Sequence, residues 1–245
     1  LPVPVTLALR FDQQARFQPL EFLHAVAPGL TVYEGTPVER IRRGTRHTRL
    51  ETPGGTVSAR VVVFAAHYPL VTVPGWYFTR LHQERSYVIA LQNAFLPYGM
   101  YLGIDPDGLS FRMAGDYLLL GGGGHRTGED PGHPYEVLEA RAKTLWPQCR
   151  VARRWSAQDC MTVDNVPYIG QYAPSTPDWF VATGFRKWGM TTSMVAAQVL
   201  SDLITGAPDP YIPVFDPARS LKGSVGNLMN EMGHAAKGLT RGLFQ

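Results

Sequence analysis

The chain has 245 residues, 44% of them apolar, 18% charged and 11% aromatic, with 23 Lys+Arg against 20 Asp+Glu for a net charge of +3. That apolar content supports a sizeable core and excludes a disordered chain, and so small a basic excess, spread along the sequence, argues against a nucleic-acid binder. Cys149 and Cys160 form no CxxC pair and are too few for a disulfide scaffold. With no signal or transit segment at Leu1-Pro2-Val3-Pro4, they point to reduced thiols in the cytoplasm. No apolar run approaches the roughly 20 residues that span a bilayer. The chain opens without Met on residues that already read as a strand, so an amino-terminal part is expected to be missing.

In chain order, residues 3–11 are apolar and β-prone. Pro19–Val26 has helical spacing, with Leu20, Leu23 and Ala27 on one face, Pro19 near the first turn and Gly29 ending it. Short strands are expected at residues 30–33 and 36–41, then a hairpin over residues 48–59 that turns at Pro53-Gly54-Gly55. Residues 60–66 (RVVVFAA) read as a strand buried on both faces, the mark of a parallel or mixed sheet. Strand-like runs at 77–92, 98–104, 110–114 and 116–121 suit an antiparallel sheet, with Trp76 and Tyr77 read as core. Pro134–Leu145 reads as a helix through Val137, Leu138, Ala142 and Leu145, stopped by Pro147.

Residues 153–158 and Trp179–Thr183 read as strands, and 191–204 as the strongest helix, packing Ala196, Ala197, Val199, Leu200 and Leu203 and ended by Gly206 and Pro208. Residues 207–217 are Pro-rich and read as irregular. The tail, residues 221–243, carries a seam of Leu221, Val225, Leu228, Met232, Ala235 and Leu239, interrupted by five glycines. Each glycine costs a helix about 1 kcal/mol against Ala, so the tail needs a surface to dock on, its own body or a partner.

The pattern richest in chemistry is Val181-Ala182-Thr183-Gly184-Phe185-Arg186-Lys187-Trp188-Gly189-Met190-Thr191-Thr192, a strand, a glycine-bounded loop and a helix start with Thr191, Thr192 or Ser193 as N-cap. The first-turn N–H groups of such a helix lack internal partners and suit an anion or an electron-rich ring. Upstream, Thr162-Val163-Asp164-Asn165-Val166-Pro167-Tyr168-Ile169-Gly170 has turn chemistry at Asp164 and Asn165. On the residues alone, an ordinary strand–loop–helix connection and a structural turn remain open readings of both.

Taken together, these segments resemble the FAD-dependent oxidoreductases of the D-amino-acid oxidase, glycine oxidase and sarcosine oxidase superfamily. The resemblance extends to Ser201-Asp202-Leu203-Ile204-Thr205-Gly206 at the helix end, to residues 32–41 (VYEGTPVERI) and to residues 60–66. Residues 84–90 (ERSYVIA), 122–128 (GGGHRTG) and 155–159 (WSAQD) are similar to a subfamily whose members often carry a C-terminal Rieske domain. The superfamily's initial Gly-x-Gly-x-x-Gly unit, which cradles the FAD pyrophosphate, is absent: the glycines of 121–124 do not open a helix after a first strand. No Rieske ligand pattern occurs either, and the histidines show no metal-ligand spacing, so no metal is expected in this chain.

The resemblance implies a fold of mixed α/β class, an incomplete FAD-binding Rossmann-like domain (residues 1–75 and 156–216) with a mainly antiparallel substrate domain (76–155) and an amphipathic tail (217–245). It implies that Val38 offers backbone groups to the adenine, that Ala65 and Ala66 line the cofactor, and that Gly184, Phe185, Arg186, Lys187, Trp188, Gly189 and Met190 pass along the flavin ring, with Thr191 and Thr192 at its pyrimidine edge. His67, closing the 60–66 strand, stands where sheet ligands sit or simply at an exit turn. His125 matches an active-site histidine, and Arg112 is the candidate anchor for a substrate carboxylate. A Lys that helps oxygen react stands in relatives at the position of Gly121, which favours a dehydrogenase over an oxidase. The relatives' carboxylate-binding Lys aligns near Thr191. Cys160 lies two positions from a covalent flavin attachment point, so attachment is not expected. The implied reaction takes a hydride from the carbon next to nitrogen in a small amine or amino acid, a hydroxy acid being the lesser option, and passes electrons to an iron–sulfur centre, a quinone or oxygen. The alternatives are a truncated, flavin-free interaction subunit and an electron-transfer module that delegates the substrate elsewhere.

Overall fold

The computed structural model describes the backbone of residues 5–242 and the side chains of residues 5–237. The chain divides into two units, residues 1–60 and 61–245.

In the first unit, helix α1 (Pro19–Val26) forms where Pro19 and the capping side chain of Gln18, which accepts from Leu20 N–H at 3.2 Å, predict it. Strands β1 (Arg40–Arg43), β2 (Thr48–Thr52) and β3 (Gly55–Ala59) make an antiparallel sheet in that order, and Glu51 on β2 pairs across to Arg40 and Arg42 at 3.2 and 2.7 Å. The hairpin is as expected. Residues 5–11 and 30–33 are not strands. A strand exists through its ladder, and no partner lies beside these segments among the described residues. Val38 precedes β1 rather than lying in a strand that begins at residue 36.

The second unit runs β4 (Val62–Phe64), β5 (Leu81–Gln92), β6 (Met100–Leu102), β7 (Ser110–Ala114), β8 (Tyr117–Arg126), α2 (Pro134–Leu145), β9 (Arg150–Thr162), β10 (Tyr168–Gln171), β11 (Trp179–Thr183), α3 (Gly189–Thr205), α4 (Ile212–Phe215) and α5 (Val225–Gly242). The fold is thus mixed α/β with a mainly antiparallel body. Five strands form one antiparallel sheet, ordered β6-β7-β8-β5-β9. Helix α2 covers one face, burying Leu138 and Ala142 over Ile89, Leu91, Leu118 and Leu120 and setting Tyr135 edge-on to Tyr87 at 5.0 Å. The other face presents Glu84, Ser86, Val88 and Ala90 by the two-residue alternation of β5.

A second sheet is ordered β10-β11-β4, with β11 antiparallel to β10 and parallel to β4. Ile169, Phe180 and Ala182 pack on Ala196, Val199 and Leu200 of α3, while Ala197 stays exposed. Val62 and Phe64 are buried, but Val61 and Val63 are 41% and 43% exposed, so β4 is not buried on both faces. Val63 sits opposite Phe180, on the face that α3 covers over β10 and β11 without reaching β4.

Other boundaries shift for identifiable reasons. A tight turn at Tyr77–Thr79 delays β5 to Leu81; Tyr77 is core, its hydroxyl donating to the Tyr172 carbonyl at 2.8 Å, whereas Trp76 is exposed. β8 continues through the glycine run to Arg126, and β9 spans Arg150–Thr162 because both pair with the long β5. The short α4 interrupts the segment read as irregular. Arg219 ties the next stretch down: Nε and Nη2 donate to the Asp164 carboxylate at 2.7 and 2.9 Å, and the guanidinium lies 4.1 Å over the Tyr168 ring.

Helix α5 docks on its own body, though not through the expected seam. Leu221, Leu228 and Ala235 are half-buried, Val225 and Met232 are exposed, and Leu239 and Leu243 lie outside the described side chains. The buried side chain is Glu231, which takes both amino groups of Arg126 at 2.8 and 2.6 Å. No helix among the described residues is long and apolar enough to cross a membrane.

Candidate active site

The parallel pair β4 and β11 ends side by side, and the carboxyl ends of parallel strands are where open α/β sheets receive ligands. The register Val62↔Trp179 and Phe64↔Val181 brings the exposed Ala65 and Ala66 alongside Ala182 and Thr183. The Thr183 hydroxyl donates to the carbonyl of His67, whose φ of +64° turns the chain away and holds the two ends together.

Beyond β11 the chain leaves through Gly184, whose φ is +73° and whose added Cβ would stand 2.3 Å from Thr162 Cγ2. Only glycine allows the loop to start this close to β9. Arg186 N–H donates to the Cys160 carbonyl at 3.0 Å, and Trp188 N–H to the Phe185 carbonyl at 3.0 Å. Phe185 anchors in the α3 core. Lys187 turns toward the large sheet, its Nζ 2.6 Å from Asp159 Oδ2 and 2.9 Å from Ser86 Oγ, clamping the loop on the face of the sheet opposite α2. Trp188, Gly189, Met190 and Thr191 are exposed, and Thr192 is half-buried.

Helix α3 begins two residues earlier than the expected caps. Its N-cap is Trp188, and no side chain caps the first turn. Thr191 and Ser193 instead donate back to the carbonyls of Trp188 and Met190 at 3.2 and 2.8 Å, because they already lie inside the helix. The first-turn N–H groups therefore open outward with the positive end of the helix dipole, beside the exposed apolar side chains of Trp188, Met190, Met194 and Val195.

Next to Lys187, Glu84 is held below the usual carboxylate range by the His82 ring facing it, helped by the charges of Lys187 and Arg186 against the opposing effect of burial. Cys160 is buried under the loop, its Sγ 3.6 Å from Thr183 Oγ1, and burial pushes its thiol up. Cys149 is likewise buried and unbridged.

The other two candidates are not brought together. Between Tyr87↔Gly122 and Arg85↔His125, the single residue Ser86 opposes both Gly123 and Gly124, a bulge with Gly123 at φ +67°. The bulge turns His125 to the α2 face, with Tyr87. In the neutral ring, Nδ1–H donates to the Arg126 carbonyl at 2.8 Å and Nε2 accepts the Tyr87 hydroxyl at 3.0 Å. Arg112, opposite Leu119 and hence in line with Ala90, is exposed on the Lys187 face. Strand spacings put its backbone roughly 16 Å from Ser86. Gly121 also faces the Lys187 side, opposite Val88, and an added Cβ there would stand 2.5 Å from Ser110 Oγ. Val38 belongs to the first unit, partly exposed ahead of β1. Asp159 and Ser86, which hold the loop, escaped the sequence reading: both lie in motifs quoted above, but their contact with Lys187 spans 28 and 101 residues.

A family model described as DAO, FAD dependent oxidoreductase, matches residues 2–203. The chain is 34% identical over 260 residues to YhfW of Bacillus subtilis (strain 168), a protein provisionally named as a Rieske 2Fe-2S iron-sulfur protein; the match takes in 100% of this chain and 51% of that protein. It is 28% identical over 195 residues to glycine oxidase of the same organism, over 72% of this chain and 49% of that protein. The chain thus spans about half the length of the curated relatives it matches. Among solved structures, glycine oxidase from Geobacillus kaustophilus has the same fold over 77% of this chain and 53% of its own, with a TM-score of 0.65 at 23% identity. With the parallel strand ends, the glycine-bounded loop and the uncapped helix start in place, and the family match running over most of the sequence, the chain belongs to the DAO family of FAD-dependent oxidoreductases.

Proposed function

We propose that this chain supplies the flavin-ring contacts and the substrate-side sheet of a dehydrogenase acting on small amines or amino acids, with an iron–sulfur centre or a quinone rather than oxygen taking the electrons. One observation carries the reading: the exposed ends of β4 and β11 share an edge with a helix start that no side chain caps. These residues fit a flat, reducible ring. Ala65 and Ala66 leave room beside it, Trp188, Met190 and Met194 offer apolar contact, and the first-turn amides of α3 offer donors. Bound FAD supplies the hydride acceptor, which gains negative charge on its pyrimidine edge. The N–H groups of Gly189, Met190 and Thr191 stabilise that charge, since fixed dipoles aimed at developing charge need no reorganisation. Lys187 holds the loop in register through Asp159 and Ser86, and Val38 of the first unit is assigned to the adenine.

His125 lies on the α2 face, away from Lys187, so it is assigned a positioning role, its lone pair taking the Tyr87 hydroxyl and fixing the bulge of β8. Arg112, exposed on the Lys187 face, is assigned as the anchor for the substrate carboxylate. The dehydrogenase preference rests on Gly121, where a side chain would press on Ser110 Oγ. Membership of a flavoprotein family does not favour the flavin-free alternative.

The test uses the full-length protein. We expect the absorbance of bound flavin, bleaching by an amine or amino acid under anaerobic conditions, and recolouring by an artificial one-electron acceptor at least ten times faster than by air. A colourless protein that binds no FAD overturns the whole reading, and rapid recolouring by air overturns the dehydrogenase part.

A further inference from the structure

Between the large sheet and α5 lies a partly open cavity of about 260 Å³. Glu84, Thr162 and Arg186 line it from the sheet and the loop, and Asn227, Asn230 and Glu231 line it from α5. Thr162 Oγ1 is buried with no partner, and the Arg186 guanidinium makes no hydrogen bond or ion pair among the described residues. Buried polar groups in folded proteins are normally paired, so the unpaired Thr162 hydroxyl, beside the half-buried Arg186 guanidinium whose charge also acts on Glu84, marks a place for a guest. The carboxylates are engaged: Glu231 by Arg126, and Glu84 by His82 and Lys187 at 3.6 and 3.9 Å, while His82 Nδ1, also on the cavity wall, stands 3.0 Å from Glu231 without a hydrogen bond. The free groups are donors, and they suit a small molecule presenting oxygen acceptors.

Helix α5 rests on the Tyr77–Thr79 turn, and its side chains hold it mainly through polar contacts. Glu231 is its one buried side chain among those described, at 5% exposure, and the Asn227 amide adds one bond to the Val163 carbonyl at 2.8 Å. Val225, Met229 and Met232 are exposed, and Gly226 and Gly233 weaken the helix from within. Segments held by few buried apolar contacts open at lower free energy than the sheets they rest on.

We propose that α5 is a lid over this cavity, latched by Glu231 on Arg126, which opens to admit a small oxygen-bearing molecule to Thr162 and Arg186 while the five-stranded sheet stays folded. The cavity shares Arg186 with the loop assigned to the flavin ring, but the opening of α5 can be read without flavin.

Its test reads access at the cavity wall in the full-length protein. In Thr162→Cys, the new thiol reacts with a disulfide reagent such as Ellman's reagent at the rate of lid opening, whereas the buried Cys149 and Cys160 react only on global unfolding. Adding Glu231→Gln is expected to speed labelling at 162 about ten-fold with no change at 149 and 160. Equal rates with and without Glu231→Gln, or labelling of all three thiols together, overturn the proposal. Amide exchange in the unsubstituted protein gives a second reading that needs no variant: residues 225–237 exchange at least ten times faster than the paired amides of β5 and β8 if α5 is a lid, and exchange as slowly as those strands if it is not.

Discussion

Replacing Gly184 by Ala tests the geometry that starts the loop. The new methyl would meet Thr162 Cγ2 at 2.3 Å and Leu81 Cδ2 at 3.4 Å, at a φ of +73°. An L side chain in the left-handed region costs about 1–2 kcal/mol, and forcing a methyl into a filled space costs about 1–3 kcal/mol more. The sum, about 3 kcal/mol, corresponds to a fall in Tm of roughly 6–12 °C for a unit of this size. The steric share belongs to one methyl group, and Thr162→Ser removes it. In a thermal-unfolding double-mutant cycle, Gly184→Ala/Thr162→Ser should therefore recover about 1–2 kcal/mol relative to the sum of the single variants, leaving the backbone share unrelieved. A Gly184→Ala variant within 2 °C of the parent, or a cycle with no coupling, refutes the close approach of loop and β9 on which the site is built.

Arg219→Met should cost about 3–5 kcal/mol, read as a Tm fall of roughly 10 °C, because it leaves the Asp164 carboxylate half-buried without its partner; Asp164→Asn in the same chain should restore part of it. Glu84 and Glu231 both have folded-state pKa values below their unfolded ones. For Glu231, burial pushes the value up, but hydrogen bonding to Arg126 and the nearby positive charges outweigh it. The stability each gives is present above the ordinary carboxylate range and is lost as pH falls below about 4.3. The acid limb of the Tm–pH curve should flatten in Glu84→Gln and Glu231→Gln, and a limb unchanged in both contradicts the pairing. Cys149 and Cys160 should stay unlabelled by thiol reagents until the chain unfolds, since burial raises both thiols.

Local punctuation made much of the fold legible. Pro19 and Pro134 mark the first residues of α1 and α2, Gly206 ends α3 at φ +76°, and Pro53-Gly54-Gly55 sets the hairpin. The loop from Gly184 to Met190 was legible because its glycines and the following helix are contiguous. The facing of His125 was not: counting by twos along β8 puts it with Gly121, and only the register of β5, through Ser86, reveals the bulge that reverses it. Arg219 and Asp164 are 55 residues apart, so nothing local announces their pairing. The tail seam misled because spacing records which side chains share a stripe, and the stripe that docks is chosen by Arg126 waiting on β8. Residues 5–11 show the same limit, since an apolar run becomes a strand only beside a neighbour.

Because Arg219 grips the turn at Asp164 just ahead of α5, a tail that lets go of Arg126 cannot drift off. Short flexible tethers keep their ends at millimolar effective concentration, so Glu231 finds Arg126 again by a unimolecular search whose rate is indifferent to dilution. Losing that anchor at Arg219 would lengthen the tether back toward α4, lowering the effective concentration of Glu231 at Arg126 and slowing reclosure without abolishing it.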